Sequence, residues 1–184
     1  MGAEIPNSQA KPITRAELEQ IECTIPVKVA LLMAWKTASR LDEIAKLTPE
    51  SVVHSSPDEV ILWFGRHTKT SRSRPFMAQL FQVIKGTHTE FIHNNLAEAF
   101  QSWPTTSAMA QALPKPYTMH SIKHGAGQVL LKAWVEGKVD FELTQTVMKH
   151  AGAKTVSETT IRYMSQNKAD LARAIGTGEA TQYL

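Results

Sequence analysis

The chain has 184 residues, 42% of them apolar and 20% charged, and a formal net charge of +3. That length holds one domain with a real core, and the apolar share is too high for a disordered segment. The longest apolar run, residues 29–35, is too short to span a bilayer, no signal-peptide pattern opens the chain, and a single cysteine, Cys23, excludes an internal disulfide framework and a Cys-rich zinc site. These features fit a globular domain of a reducing, intracellular compartment, away from membranes.

Residues 1–13 lack periodicity and hold Gly2, Pro6 and Pro12, so they read as a flexible tail or linker stub. Thr14 and Glu17 have the spacing of a capping box, which predicts a first helix with Leu18 and Ile21 on its apolar side. Pro26 suits the opening of a second helix, whose residues 29–35 are apolar almost all round and therefore central and buried. Ser39 is placed to cap a short third helix that carries Leu41, Ile44 and Leu47 on one side and ends at Thr48-Pro49. Residues 52–54, 59–64 and 75–80 then have the period and composition of short strands, with a turn at 55–58. Helical content returns at 90–103, an irregular stretch surrounds 107–113, and further helices are expected at 119–134, 141–149, 157–164 and 167–175, the last stopped by Gly176. The expectation is an α+β domain, mainly α-helical, with a small three-stranded antiparallel sheet inserted early. It spans residues 14–175, with 176–184 as a C-terminal tail.

Charge is unevenly spread. Residues 1–60 carry 6 Lys/Arg against 9 Asp/Glu, and residues 61–184 carry 14 against 8, so the sums are −3 and +6. The densest basic stretch, 65–75, holds Arg66, Lys69, Arg72 and Arg74 among Ser and Thr, with no acid. It suits a polyanion or a solvated turn. On the helix expected from 119, His120, Lys123 and His124 fall at i, i+3 and i+4 and share one face. Gathered cationic donors suit a phosphate, which the ammonium neutralises while an imidazole carries a proton; a polar face turned to water is the plainer alternative. Trp35, Trp63, Trp103 and Trp134 read as core, and His54, His67, His88 and His93 as structural or solvent-facing.

Read in order, Arg40 after a buried helix, Lys69 between two strands, His120-x-x-Lys123-His124 opening a helix, Lys149-His150 ending another and Thr160-Ile-Arg-Tyr163 on a later one resemble the catalytic domain of tyrosine recombinases, the phage integrase family. The resemblance covers residues 14–175. It implies that Arg40 clamps the scissile phosphate with Glu43 supporting it. Lys69 would protonate the leaving 5′ oxygen, with Arg66, Arg72 and Arg74 contacting the DNA backbone. His120 and Lys123 occupy the His-x-x-Arg box, His124 adds a donor, and His150 hydrogen-bonds the phosphate. Tyr163 is the nucleophile, although on residue type alone a packing tyrosine is the plainer reading. The implied activity is breaking and rejoining duplex DNA through a 3′-phosphotyrosyl intermediate, by a protein that self-associates on DNA as a dimer or tetramer. No cofactor or metal is expected, because the covalent bond stores the energy for rejoining.

Two departures stand out. Lys123 replaces the family's second arginine, keeping the charge but losing the planar fork. The 13-residue interval between His150 and Tyr163 is about one helical turn longer than usual. A degenerate member that binds DNA without cleaving it is the resulting alternative, a topoisomerase-like relaxing enzyme shares the chemistry, and a helical domain unrelated to DNA remains the outside reading. Only about 13 residues precede the first helix, so the core-binding domain usual in the family is expected to be missing, by removal or by nature.

Overall fold

The computed structural model describes residues 10–64, 78–148 and 168–184. Helix α1 (Arg15–Gln20) opens on the capping box expected for it: the Glu17 N–H donates to Thr14 Oγ1, and the Thr14 N–H to Glu17 Oε1, both at 3.1 Å. Helix α2 (Ile25–Lys36), with Pro26 in its first turn, is the axis of the molecule. Every side chain from Val29 to Lys36 is buried, and its neighbours include α1, the helix His88–Ala99 and the helix Ser121–Val135. An apolar surface on all sides of one helix is stable only when other helices enclose it.

After α3 (Leu41–Ala45) and a 3-10 turn at Pro49–Ser51 come the strands β1 (Val52–Ser55), β2 (Glu59–Trp63) and β3 (Ala78–Gln82), in the spatial order β1-β2-β3. Both pairings are antiparallel, with Val60 opposite Phe81 and Ile61 opposite Leu80. Alternation then sorts the side chains: Val60, Leu62 and Phe81 enter the main core, while Ile61, Ala78 and Leu80 face the other way and meet Leu171, Ala172 and Ile175. The third strand runs past the expected end at 80 to Gln82, and residues 75–77 of the expected strand lie outside the described residues.

Helix α4 (His88–Ala99) continues as a 3-10 turn at Phe100–Ser102. Residues 107–113, expected to be irregular, instead lie mostly in α5 (Thr106–Ala112), because Thr105 caps its first turn by accepting the Ala108 N–H at 3.1 Å. Then follow α6 (Ser121–Val135), α7 (Phe141–Met148), α8 (Lys168–Ile175) and α9 (Gly178–Thr181). The expected helix at 157–164 lies outside the described residues. Gly176, at φ +81°, stops α8 as expected.

The final residues are not a tail. Thr177 Oγ1 accepts the Leu80 N–H at 2.9 Å and Thr181 Oγ1 donates to the Leu80 carbonyl at 2.7 Å, so α9 satisfies the free edge of β3. Leu184 is buried, and its carbonyl accepts from Trp35 Nε1 at 2.9 Å and Arg15 Nη1 at 2.8 Å. Trp134 corrects the expectation that all four tryptophans are core: it is 39% exposed, its ring tilted against that of Phe141.

Candidate functional site

Arg40 owes its position to the end of α2. The Ala38 N–H bonds the Trp35 carbonyl at 3.1 Å and the Ser39 N–H bonds the Ala34 carbonyl at 2.9 Å, the pair of bonds of a Schellman motif. Ala38 occupies the left-handed position of that motif, at φ +49°, where glycine is usual. The turn is buried and sealed by Thr37, whose hydroxyl lies 2.7 Å from Ser39 Oγ and donates to the Met33 carbonyl at 2.8 Å. The cap of α3 is therefore Arg40 rather than Ser39, which is engaged by Thr37. Glu43, itself 3% exposed, accepts the backbone N–H of Arg40 at 2.9 Å. Its carboxylate fixes the backbone from which the guanidinium projects. The guanidinium lies along Asp42, with Nη2 at 3.5 Å from Oδ2. Arg40 Nε is buried and lies 3.4 Å from Asp42 Oδ1, an ion pair without hydrogen-bond geometry.

The second group of residues sits where α6 begins. His120 is the N-cap residue, and its imidazole is not spent on capping the helix. Lys123 and His124 follow within the first turn, half-buried, and His120 is exposed. Gly125 lets this end of α6 lie against the incoming chain: a Cβ there would stand 1.9 Å from the Ile13 carbonyl oxygen and 3.0 Å from the Trp35 ring. The Ile13 N–H in turn bonds the Ser121 carbonyl at 3.2 Å. His120, Lys123 and His124 share one wall of a cleft of about 520 Å³ between α6 and α7, so the shared face read from the sequence is concave rather than flat. Lys123 Nζ crosses it and donates to the carbonyl of Met148, the last described residue of α7, at 3.0 Å. From the other side Gln79 Nε2 donates to the carbonyls of Thr146 and Val147, at 3.3 and 3.1 Å. Residues 146–148 of α7 thus accept from one side chain of α6 and one of β3.

Lys69, Arg66, Arg72, Arg74, His150 and Tyr163 lie outside the described residues. By connectivity Lys69 belongs to the link between the paired strands β2 and β3, and His150 comes two residues after the end of α7. The cleft adds residues that sequence reasoning missed: Gly127, Gln128 and Leu131 on α6, and Phe141, Thr144, Gln145 and Met148 on α7. For the α6 members the signal was available, since 120, 124, 127, 128 and 131 continue one helical stripe. Among the described residues, no group of three or more His, Cys, Asp and Glu side chains is placed to hold a metal ion, and no helix is long and apolar enough to cross a membrane.

No protein-family model matches the chain, and no curated protein does. Helices enclosing a central apolar helix, with a small antiparallel sheet on one flank, give the fold class of tyrosine-recombinase catalytic domains. Among solved structures, the chain is similar to the XerH site-specific recombinase, captured in a post-cleavage complex with a palindromic difH substrate. Identity is 15% and the TM-score 0.52, over 91% of this chain and 53% of that one. This chain therefore spans about half the length of that recombinase chain, and the likeness is one of fold.

Proposed function

We propose that the chain is the catalytic domain of a tyrosine recombinase that cuts and rejoins duplex DNA through Tyr163. The carrying observation is the cleft at the start of α6, where His120, Lys123 and His124 stand together, in a fold shared with a recombinase solved on its DNA substrate. The half-buried guanidinium of Arg40, held on a backbone fixed by Glu43, supports the same reading, since a guanidinium suits phosphoryl oxygens. In the reaction, Tyr163 Oη attacks the scissile phosphorus and loses its proton, while the bond to the 5′ oxygen breaks. Lys69 supplies the proton to that leaving oxygen, and Arg40, His120, Lys123 and His150 stabilise the charge on the phosphoryl oxygens. A free phenol has a pKa of about 10, so its attack depends on that positive field and on a base, for which His120 is the candidate. Attack by a 5′ hydroxyl on the phosphotyrosine reverses the sequence and rejoins the strand. Arg66, Arg72 and Arg74 add backbone contacts, and copies of the chain associate on the DNA.

The test is a suicide duplex nicked beside the cleavage site. A DNA-linked protein band is expected from the unmodified chain and none from Tyr163→Phe; equal bands from both contradict the reading.

A second reading has its own observation. Lys123 Nζ is engaged with the Met148 carbonyl, and an ammonium lacks the fork with which arginine grips two oxygens. On this reading the chain binds DNA and does not cut it. Cleavage confined to Lys123→Arg supports that second reading, and cleavage by the unmodified chain removes it.

A further inference from the structure

The cleft beside α6 has more in it than a phosphate requires. The two imidazoles and the ammonium occupy one part, while Leu131, Phe141 and Met148 supply apolar surface and the amides of Gln128 and Gln145 complete the lining. Leu131 is 51% exposed and Phe141 47%, so this surface is uncovered. The Phe141 ring is steadied by Trp134, at a centroid distance of 4.8 Å and an interplanar angle of 48°. Among the described residues neither glutamine side chain makes a hydrogen bond, which leaves the donor and acceptor of each amide open there inside a partly apolar recess.

Cations alone suffice for the backbone of a paired duplex, whose phosphates face outward while its bases stay stacked. An aromatic ring, a thioether and two open amides in one recess are complementary to something different: a flat heterocycle with hydrogen-bonding edges. A nucleotide is the ligand that joins such a ring to an anion. We infer that the cleft takes a nucleotide whose base is turned out of the duplex. The phosphate lies beside His120 and Lys123, the ring lies on Phe141 and Met148, and the Gln128 and Gln145 amides meet the edge of the base. A volume of about 520 Å³ is of the size that holds one small ligand. The inference rests on the proposed action on DNA for the source of the nucleotide, and on the cleft alone for its chemistry.

Three duplexes of one mixed sequence provide the test: fully paired, with a single unpaired adenine, and with an abasic residue in place of that adenine. The abasic strand keeps the phosphate and the local flexibility and lacks only the base. Titrated by fluorescence anisotropy, the unpaired adenine is expected to bind at least about fivefold more tightly than the abasic site, the low end of base–aromatic stacking. Phe141→Ala and Gln145→Ala are each expected to bring that ratio towards one. Both positions are at least partly exposed, and circular dichroism verifies the fold of each variant. Equal affinity for adenine and abasic duplexes in the unmodified chain overturns the inference and leaves action on DNA standing if the paired duplex binds with salt dependence. Preference for adenine without binding of the paired duplex keeps the cleft and removes the recombinase reading. No binding of any of the three overturns both.

Discussion

Lys36 sits at the end of α2 with only 3% of its surface exposed, and burial first, then the nearby Arg15 cation, lowers its pKa to about 8. Below pH 8 the folded and unfolded chains both hold the proton, so the whole cost of a buried ammonium, roughly 3 kcal/mol, is felt there. Between 8 and the ordinary 10.5 the unfolded chain binds more protons than the folded one, so stability rises with pH in that window. Lys36→Met is expected to raise stability at neutral pH by up to about 3 kcal/mol in urea unfolding and to flatten that rise; an unchanged midpoint contradicts it. His88 is the acid-side counterpart. Burial first, then Lys36 and Arg15, push its pKa down to about 3, and its Nε2 is buried without a hydrogen bond. From the ordinary 6.5 down to 3 the unfolded chain takes up a proton that the folded chain refuses, so stability falls as the pH drops through that range. The slope from this residue is at most about 1.4 kcal/mol per pH unit. His88→Leu is expected to remove it between pH 6.5 and about 5, above the range in which carboxylates dominate. A slope that survives the substitution contradicts the assignment.

Among the elements, α6 carries the closest fit. Gly125→Ala drives a methyl group into the Ile13 carbonyl, which belongs to the backbone and cannot swing aside as a side chain can. The expected loss is about 1–3 kcal/mol of stability, with His120 and Lys123 displaced as the start of the helix moves. A variant as stable as the parent contradicts the contact. The same region shows what was legible in the sequence. The capping box at Thr14, the apolar α2, the strand pairs and the shared face of His120, Lys123 and His124 all follow from spacing, because they depend on local geometry. The α5 helix was hidden by surrounding prolines, and the cap at Arg40 by Ser39, whose hydroxyl is tied to Thr37. The role of α9 was also hidden: its threonines reach a strand about a hundred residues earlier in the chain. The α7 wall of the cleft depends on how two helices meet, which no periodicity records.

At the scale of the molecule, the +3 net charge is the sum of an acidic first third and a basic remainder. Within the proposed function the first third builds the scaffold and contributes Arg40, Glu43 and their turn, while the remainder supplies Lys69, the α6 cleft and Tyr163. Binding to duplex DNA is therefore expected to be modest at physiological salt and to weaken steeply as salt rises, with the logarithm of affinity linear in the logarithm of salt. Affinity independent of salt contradicts that division of labour. The proposed chemistry turns on the bond to Tyr163, which mass spectrometry of a trapped, protease-digested adduct reads out. A nucleotide 3′-phosphate is expected on the peptide containing Tyr163, with a free 5′ hydroxyl on the released strand. Attachment to any other residue, or a 5′ linkage, contradicts it.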